Sequence, residues 1–486
     1  MATTTPGGNP PLVTVPGLAT IVGFLVCVEL ASGILQGFYT PIFPQIADHL
    51  SIRHASVNWF EAAQLIVSAL VVPVLARLGD LIGHRNVLLL STAVTALASW
   101  ALAFSPNFTT FLVAWAIQGF YVVWLPLEVS IIHRRTAASG QQARLTRRAA
   151  SFLVAALELA VIIGALTSGA LVDGTSMTVV LMIPAVAVTL CFVAVWYGVS
   201  DSEPVATGSI DWTGFALVTT ALLVLMGGLV LIRLDGPGSL VAWLVIVLGL
   251  VAFVPFVRYE RAHPDPLVDV RLLATSGQWP VQLTAFLFGM SVLGAQIPLS
   301  TYAQTDRSVG YGLGADSGFV STLIGLYVIS LVVGALSLPW ASKRVGPRNA
   351  LLVACVLVAI GYALWIPFHD STGQALLNMA IAGIGSGALV AALPAAAAAA
   401  APPERTGFAT GMTNTTKTIG GALASAIFAI ALSATGTIDT EGNVNAPLHG
   451  YLIVWGVCAA SALLAAVSLM VVPRSAFSDP GEKIPG

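Results

Sequence analysis

The feature that most constrains this chain is the recurrence of apolar stretches of about 20 residues, each bounded by charged residues, Gly or Pro. With 57% hydrophobic and only 9% charged residues, and a mean hydropathy of +0.90, the 486-residue chain cannot cover itself with a water-soluble surface. In hydrocarbon, every backbone amide and carbonyl group needs a hydrogen-bond partner within the protein, so such stretches form helices. The sequence therefore predicts an all-α membrane protein with about 14 transmembrane helices.

The loop charges predict how these helices are oriented, because Lys and Arg accumulate in cytoplasmic connections. An even number of helices puts both termini on one side. If that side is cytoplasmic, only Arg53, Arg233 and Arg307 of the 20 basic residues fall in outer loops. We therefore predict a multi-pass protein of the plasma (inner) membrane with both termini cytoplasmic. The predicted helices are residues 17–41, 58–78, 87–105, 109–132, 148–172, 177–198, 213–233, 239–259, 278–300, 317–341, 349–368, 374–401, 408–433 and 450–471.

One heptapeptide occurs twice, as Gly83–Leu89 (GHRNVLL) and as Gly346–Leu352 (GPRNALL). Both copies follow one predicted helix and begin another with the same polarity, as two parallel halves of a duplicated bundle require. Six helices in each half leave two helices in the centre. The predicted organisation is a cytoplasmic tail at 1–16, a six-helix bundle at 17–200, a two-helix insert with its flanking loops at 201–272, a second six-helix bundle at 273–472 and a cytoplasmic tail at 473–486.

Three stretches resemble known transporters. Ala76–Arg85 (ARLGDLIGHR) resembles the loop signature between helices two and three of the major facilitator superfamily. Glu260–Leu272 (ERAHPDPLVDVRL) and the segment from Pro402 to Gly421 resemble its fourteen-helix drug:proton antiporter branch. The resemblance implies two pseudo-symmetric six-helix bundles plus two inserted helices, a monomer that rocks around a central cavity, a small-molecule substrate and protons as the coupling ion.

The first of these stretches is also interpretable from its residues. Gly79 and Gly83 allow a tight turn, and Asp80 can accept a hydrogen bond from Arg85 or face a helix N-terminus. In the superfamily, as the resemblance implies, the matching Asp and Arg help to hold the two halves together on the cytoplasmic face. Gly79, Asp80, Gly83, His84 and Arg85 are therefore predicted to form a cytoplasmic latch, and a capped, solvated turn is the alternative.

Three departures from the antiporter branch bear on proton coupling. Trp115 stands three residues before a Gln-Gly pair, where the branch usually has Arg. Gly164-Ala165 replaces the usual Gly-Pro step of helix five, and Leu35 stands where helix one frequently carries an acidic residue. Proton antiport is therefore expected from the resemblance, although three of its usual residues are replaced.

Glu29, Glu128 and Glu158 lie inside predicted helices, where an ionised group costs about 2.5 to 3.5 kcal/mol on insertion scales. Such residues face protein or water, and a buried carboxyl group can exchange a proton near neutral pH. All three are predicted proton-coupling residues. Glu29 and Glu158 lie near the middle of their helices, whereas Glu128 is about one turn from the inner end and could instead pair with Arg134 or Arg135.

Polar residues at three- and four-residue spacing share helix faces with these glutamates, which predicts a polar cavity between the halves. Lys417, the one basic residue away from the ends of a predicted helix, is expected to bind an anionic substrate group or to neutralise a glutamate across the cavity. Glu61, near the outer end of helix two, is interpreted instead as a structural residue that reaches the membrane interface. The predicted cavity residues are Ser32, Gln36, Gln118, Tyr121, Trp124, Asn414 and Lys417.

Other functional classes lack support in the sequence. The net charge of -2 and the absence of a basic stripe argue against nucleic-acid binding. The four cysteines lie singly inside apolar stretches, so no metal site or cofactor is predicted, and HExxH, Walker and GxSxG motifs are absent. We predict a transporter, not an enzyme, that exports small lipophilic or drug-like compounds by alternating access. The alternatives are a proton-independent transporter of a lipid or specific metabolite and, more distantly, a membrane-embedded lipid-modifying enzyme.

Overall fold

The computed structural model describes residues 22–136, 142–200, 209–402, 406–433 and 445–471. Every regular element in these ranges is a helix, and 12 of the helices are long and apolar enough to cross a membrane. The prediction of an all-α membrane fold is confirmed. The predicted tails at 1–16 and 473–486 lie outside the described residues.

Two further helices occupy predicted membrane-crossing segments. Pro347–Ala363 is apolar but only 17 residues long, and Thr406–Ala431 is long but carries Lys417 and several threonines. Counting both gives the predicted number of about 14. We number the spans in chain order: 1 (Leu25–His49), 2 (Asn58–Ile82), 3 (His84–Ala103), 4 (Phe108–Ile132), 5 (Gln142–Leu171), 6 (Met177–Gly198), 7 (Trp212–Asp235), 8 (Leu240–Ala262), 9 (Trp279–Gln304), 10 (Ser317–Val345), 11 (Pro347–Ala363), 12 (Thr372–Ala399), 13 (Thr406–Ala431) and 14 (Leu448–Met470).

Three spans are interrupted, where the sequence predicts continuous helices. Span 4 passes through a 3-10 segment, Gly119–Val123, and the hydroxyl of Ser68 donates to the carbonyl of Gly119 at 2.9 Å. This bond satisfies a carbonyl group at the break, as a low-dielectric interior requires. The parts are Leu25–Gly37, Thr40–Ile42 and Phe43–His49 in span 1, Phe108–Gln118 and Trp124–Arg135 in span 4, and Trp279–Val292 and Gln296–Gln304 in span 9.

The buried side chains form two large cores. Apart from Ile297, the first core lies within residues 22–199, and the second lies within 281–469. Spans 1–6 therefore pack as an N-terminal bundle and spans 9–14 as a C-terminal bundle. The predicted domain bounds at 17–200, 201–272 and 273–472 stay a prediction, and each core falls inside one of them.

The repeated heptapeptide has the same structure in both bundles. Gly83 and Gly346 take positive φ values of 94° and 83°, which an L side chain rarely adopts, where spans 2 and 10 end. We call the end of the molecule that holds these two turns the motif end, and the opposite end the far end. Arg85 and Arg348 each donate to two carbonyl oxygens that the last helix of their own bundle leaves free. These acceptors belong to Trp196 and Val199 for Arg85, and to Leu469 and Met470 for Arg348.

The insert, spans 7 and 8, is a helix hairpin that covers one seam between the bundles. Leu222 of span 7 is buried against Leu65 of span 2 and Ala422 of span 13. At the far end, the guanidinium of Arg233 lies 5.3 Å from the ring centre of Trp59. The insert therefore contacts both bundles at the place where they meet.

Glycines allow close contact between helices within each bundle. A Cβ added at Gly37 would lie 2.1 Å from the carbonyl oxygen of Val161, and one at Gly387 would lie 1.8 Å from that of Leu331. Such small-residue contacts let helix backbones approach and pack by van der Waals attraction. Gly456 on span 14 has no such contact, because nothing lies within 4 Å of its added Cβ.

We expect Gly387→Ala to destabilise the fold, because the methyl group would push span 12 away from span 10, and overpacking of this kind costs about 1–3 kcal/mol. The thermal melting temperature of the purified protein in detergent is the measurement. Gly456→Ala is the matched control and should leave it unchanged or raise it slightly, since Ala favours helix. Equal melting temperatures for both variants would contradict the packing assigned to Gly387.

Candidate functional site

The two bundles are hydrogen-bonded to each other at the far end. Within the described residues, every hydrogen bond that joins spans 1–6 to spans 9–14 lies there. Toward the motif end, the space between the bundles has no such closure among these residues, and we call it the central space. The bonds are Thr40 to Gln296, Gln45 to Gln304, Gln304 to the Pro41 carbonyl, Arg53 to the Ser433 carbonyl, Ser317 to the Gly169 carbonyl and Ser321 to the Ala165 carbonyl.

Four of the predicted residues border the central space. Glu158 of span 5 and Lys417 of span 13 come from opposite bundles, are both partly exposed, and act on each other electrostatically. Asn414 precedes Lys417 by one turn and is also partly exposed. Gln36 is exposed on the face of span 1 that carries Thr40, whose hydroxyl reaches across to the C-terminal bundle. The structure therefore places Glu158 and Lys417 within electrostatic range of each other, with Gln36 on a face of span 1 that turns toward the C-terminal bundle.

Glu29 and Glu128 form a buried pair inside the N-terminal bundle. Both side chains are fully buried, and each carboxyl group lies close enough to act electrostatically on the other. No group among the described residues donates to their oxygens. Two ionised carboxylates buried side by side without a donor repel each other, and one proton on the pair would remove this repulsion. The alternative partners predicted for Glu128, Arg134 and Arg135, do not donate to it.

Of the three predicted cavity residues of span 4, Gln118 and Trp124 lie deeper than expected, whereas Tyr121 is partly exposed. Gln118 donates at 2.9 Å to the hydroxyls of Tyr39 and Ser99, and it is fully buried. The indole of Trp124 donates to Ser91 at 3.0 Å and is likewise buried. Since Tyr39 belongs to span 1 and Ser91 and Ser99 belong to span 3, this side of span 4 meets spans 1 and 3. In this state Gln118 and Trp124 hold the bundle together rather than line the central space. Ser32 is also buried, and it accepts a hydrogen bond from Gln36.

Span 2 contributes a glutamate that the sequence interpretation placed at the membrane interface. Glu61 is instead close enough to Tyr121 of span 4 for its charge to act on that side chain. Gln64 and Ser68, three and seven residues further on, bond to span 4 as well. This i, i+3, i+7 spacing of polar residues is a signal that could have revealed the inward face of span 2.

Trp115 occupies the position where the antiporter branch usually has an arginine. Its ring is buried 4.6 Å from the ring of Tyr39 and packs with Phe43, Phe60 and Phe111. An aromatic cluster therefore fills the site, and the position carries no charge. Any ion chemistry near it must come from the glutamates.

The predicted latch residues lie together at the motif end. The Nε2 atom of His84 lies 3.3 Å from the carboxylate of Asp80. The ring of His84 packs against Gly79, where a larger residue would carry its side chain. Gly83 ends span 2 with positive φ, and Arg85 reaches across its own bundle to the end of span 6. The role of these five residues as a latch between the bundles stays a prediction.

The loop that follows the insert is attached to the same region. Arg77 of span 2 forms an ion pair with Asp265, which lies in the Glu260–Leu272 stretch that resembles the antiporter branch. Glu260 and Asp211 hold the base of the insert, since they accept from the amides of Val268 and Gly214. The insert is thereby joined to the motif end of the N-terminal bundle.

The architecture and these contacts agree with the comparisons with known proteins. The family model of the Major Facilitator Superfamily matches residues 25–425, and a second match covers 282–483. The chain belongs to this superfamily. The predicted family, and a transporter rather than an enzyme, are thereby confirmed.

The similar proteins are named for different substrates. The cephamycin export protein CmcT of Amycolatopsis lactamdurans is 26% identical over 452 residues, which are 91% of this chain and 90% of that protein. The uridine/deoxyuridine transporter of Lactococcus lactis subsp. cremoris (strain MG1363) is 25% identical over 357 residues, 71% of this chain and 73% of that one. Among solved structures, an auto-inhibited POT family peptide transporter matches with a TM-score of 0.67 at 14% identity, over 93% of this chain and 96% of its own. This last likeness supports the fold alone.

We expect the Arg77–Asp265 ion pair to hold the 263–269 loop down. Arg77→Asp should expose the loop, and because an exposed pair contributes about 0.2–1 kcal/mol, cleavage by trypsin next to Arg261 and Arg271 should accelerate up to about fivefold. Adding Asp265→Arg restores opposite charges and should restore resistance. Lys343→Asp, at another exposed motif-end position, is the control. A double variant as sensitive as Arg77→Asp would contradict the tether.

Proposed function

We propose that this member of the superfamily exports small, lipophilic or drug-like compounds across the plasma membrane in exchange for protons, as a monomer with both termini cytoplasmic. The observation that carries the proposal is a polar space between the bundles that, within the described residues, is bridged by hydrogen bonds at the far end only. With the motif end cytoplasmic, that space opens to the cell interior, where an exporter must collect its substrate. The match to an export protein over about nine tenths of both chains supports the direction of transport.

The proton is assigned to the Glu29–Glu128 pair. The pair lies inside the N-terminal bundle, and its carboxylate oxygens have no hydrogen-bond donor among the described residues, so a proton taken up there would relieve the repulsion between the two groups. The charge of Glu29 acts on Glu158, which borders the central space. A positive group bound at Glu158 would repel the shared proton, and the proton would oppose that group. Substrate and proton would therefore alternate without sharing an atom.

A second candidate is proton-independent transport of a specific metabolite. The likeness to a uridine/deoxyuridine transporter and the aromatic Trp115 in place of the branch's arginine both favour it. It differs from drug export in two measurable respects, which are a narrow substrate range and flux that is indifferent to a pH gradient.

The test is flux into proteoliposomes with a lipophilic dye, a nucleoside and a β-lactam as substrates. If protons leave as substrate enters, an acidic interior should accelerate uptake of the dye or the β-lactam over uptake at equal pH. Uptake of the nucleoside alone, with no effect of the gradient, would favour the second candidate.

Glu128→Gln should separate coupling from transport. The amide group that this substitution introduces can donate to Glu29 as the protonated carboxyl does, so the variant resembles the proton-bound form permanently. We expect acceleration by an acidic interior to disappear while flux down a substrate gradient remains. Asp48→Asn, which removes a carboxylate at the exposed far end, is the control and should keep the acceleration. Acceleration that survives in Glu128→Gln would exclude the pair as the proton site.

A further inference from the structure

The central space contains two opposite charges that do not neutralise each other directly. Glu158 and Lys417 come from different bundles. Within the described residues, neither forms an ion pair at 4 Å or less, and neither has a hydrogen-bond partner. Both side chains are partly exposed. This contrasts with Glu29 and Glu128, which are fully buried and lie close together within one bundle.

The position of Glu158 follows from the register of span 5. Ala165 and Gly169 lie seven and eleven residues further on, and therefore on the same line of the helix. The carbonyl groups of both accept hydrogen bonds from the C-terminal bundle. Glu158 thus faces that bundle, about 10 Å nearer the motif end at 1.5 Å per residue, where no hydrogen bond among the described residues joins the bundles.

The position of Lys417 is the counterpart on span 13. Gly421, one helical turn nearer the far end, lies against Leu65 of span 2, so this side of span 13 faces the N-terminal bundle. Lys417 lies one helical turn nearer the motif end than this contact, within the central space. Each charge is therefore carried by one bundle and directed at the other.

A ligand that enters this space interacts electrostatically with both Glu158 and Lys417. A neutral molecule would displace the water that hydrates the carboxylate and the ammonium group without offering either charge a partner. This loss of solvation is costly in a low-dielectric site. A purely cationic molecule would be attracted by Glu158 but repelled by Lys417, and an anion would meet the reverse. A molecule that carries an amine and a carboxylate a few ångströms apart satisfies both.

We propose that the central site selects amphoteric small molecules, with the ligand's ammonium group on Glu158 and its carboxylate on Lys417. This inference rests on the proposed transport function and specifies its substrate class. Such a ligand connects the two bundles through charge-assisted contacts, so its binding draws the motif ends toward each other. Without a ligand, the two side chains can reach each other when the bundles close, which lets the empty protein return.

Other ionisable groups nearby do not provide this complementarity. Glu29 and Glu128 are acidic, like Glu158, and are fully buried inside the N-terminal bundle. Glu61 acts on Tyr121, within the N-terminal bundle. Tyr327 of span 10 lies within electrostatic range of Glu158 but carries no charge at neutral pH. Lys417 is therefore the cation that Glu158 faces, and the pair defines the charge pattern of the site.

The test compares three forms of one cephalosporin that bears a free amine and a carboxylate: the parent, its methyl ester and its N-acetyl derivative. Dissociation constants are measured with the full-length protein in detergent. We expect the parent to bind at least tenfold more tightly than either derivative. Equal binding of the parent and both derivatives would overturn the inference, and because the wild-type protein is used, no folding defect can obscure this result.

Variants assign each charge to its partner. Lys417→Met should weaken the parent at least tenfold and leave the methyl ester unchanged, whereas Glu158→Gln should weaken the parent and leave the N-acetyl derivative unchanged. Lys417→Arg keeps the charge and should retain binding, which controls for folding. Lys343→Met, at the exposed motif end, should behave as wild type. A loss of all three ligands in Lys417→Met and Lys417→Arg alike would show a structural lysine instead.

Two different outcomes distinguish a wrong substrate class from a wrong transport function. If the dye is transported with its pH dependence intact while the amphoteric parent binds no better than its derivatives, export stands and the substrate class is wrong. If no drug-like compound moves at all, the proposed function is wrong.

Discussion

In a hydrocarbon solvent, each backbone group that a helix leaves free must find its partner within the protein, and this requirement shapes the molecule at every helix end and break. Arg85 and Arg348 supply the partners at the ends of spans 6 and 14, and Ser68 does so at the break in span 4. All of these bonds are made within a single bundle. Each bundle is therefore internally satisfied and can move as a unit, while the contacts between bundles are fewer and more easily broken.

The charged residues follow the same division. Glu29 and Glu128 lie within one bundle, so their contact is preserved when the bundles move. Glu158 and Lys417 lie across the gap, so their separation changes with every movement. A low dielectric makes this separation matter, because the attraction between two charges falls with distance and is weakly screened there. The first pair is suited to holding a proton, and the second to responding to what occupies the gap.

Much of the fold could be predicted from the sequence, because span length, loop charge and the repeated heptapeptide are local signals. The residues near the cavity were harder. Glu128 was expected to pair with a nearby arginine or to carry a proton, and the structure places it close to Glu29, almost a hundred residues away. That proximity depends on how spans 1 and 4 pack, which no local pattern records. The 3-10 break in span 4 and the burial of Gln118 and Trp124 have the same origin, whereas the opposition of Lys417 to a glutamate could be predicted from charge alone.

The insert makes the two sides of the molecule unequal toward the lipid. Span 7 lies over the seam between spans 2 and 13, so acyl chains cannot reach that junction directly. The seam between spans 5 and 10 has no comparable cover among the described residues. A solute that arrives from within the bilayer, rather than from water, would therefore have a lateral route on one side only, and it would pass Glu158 first.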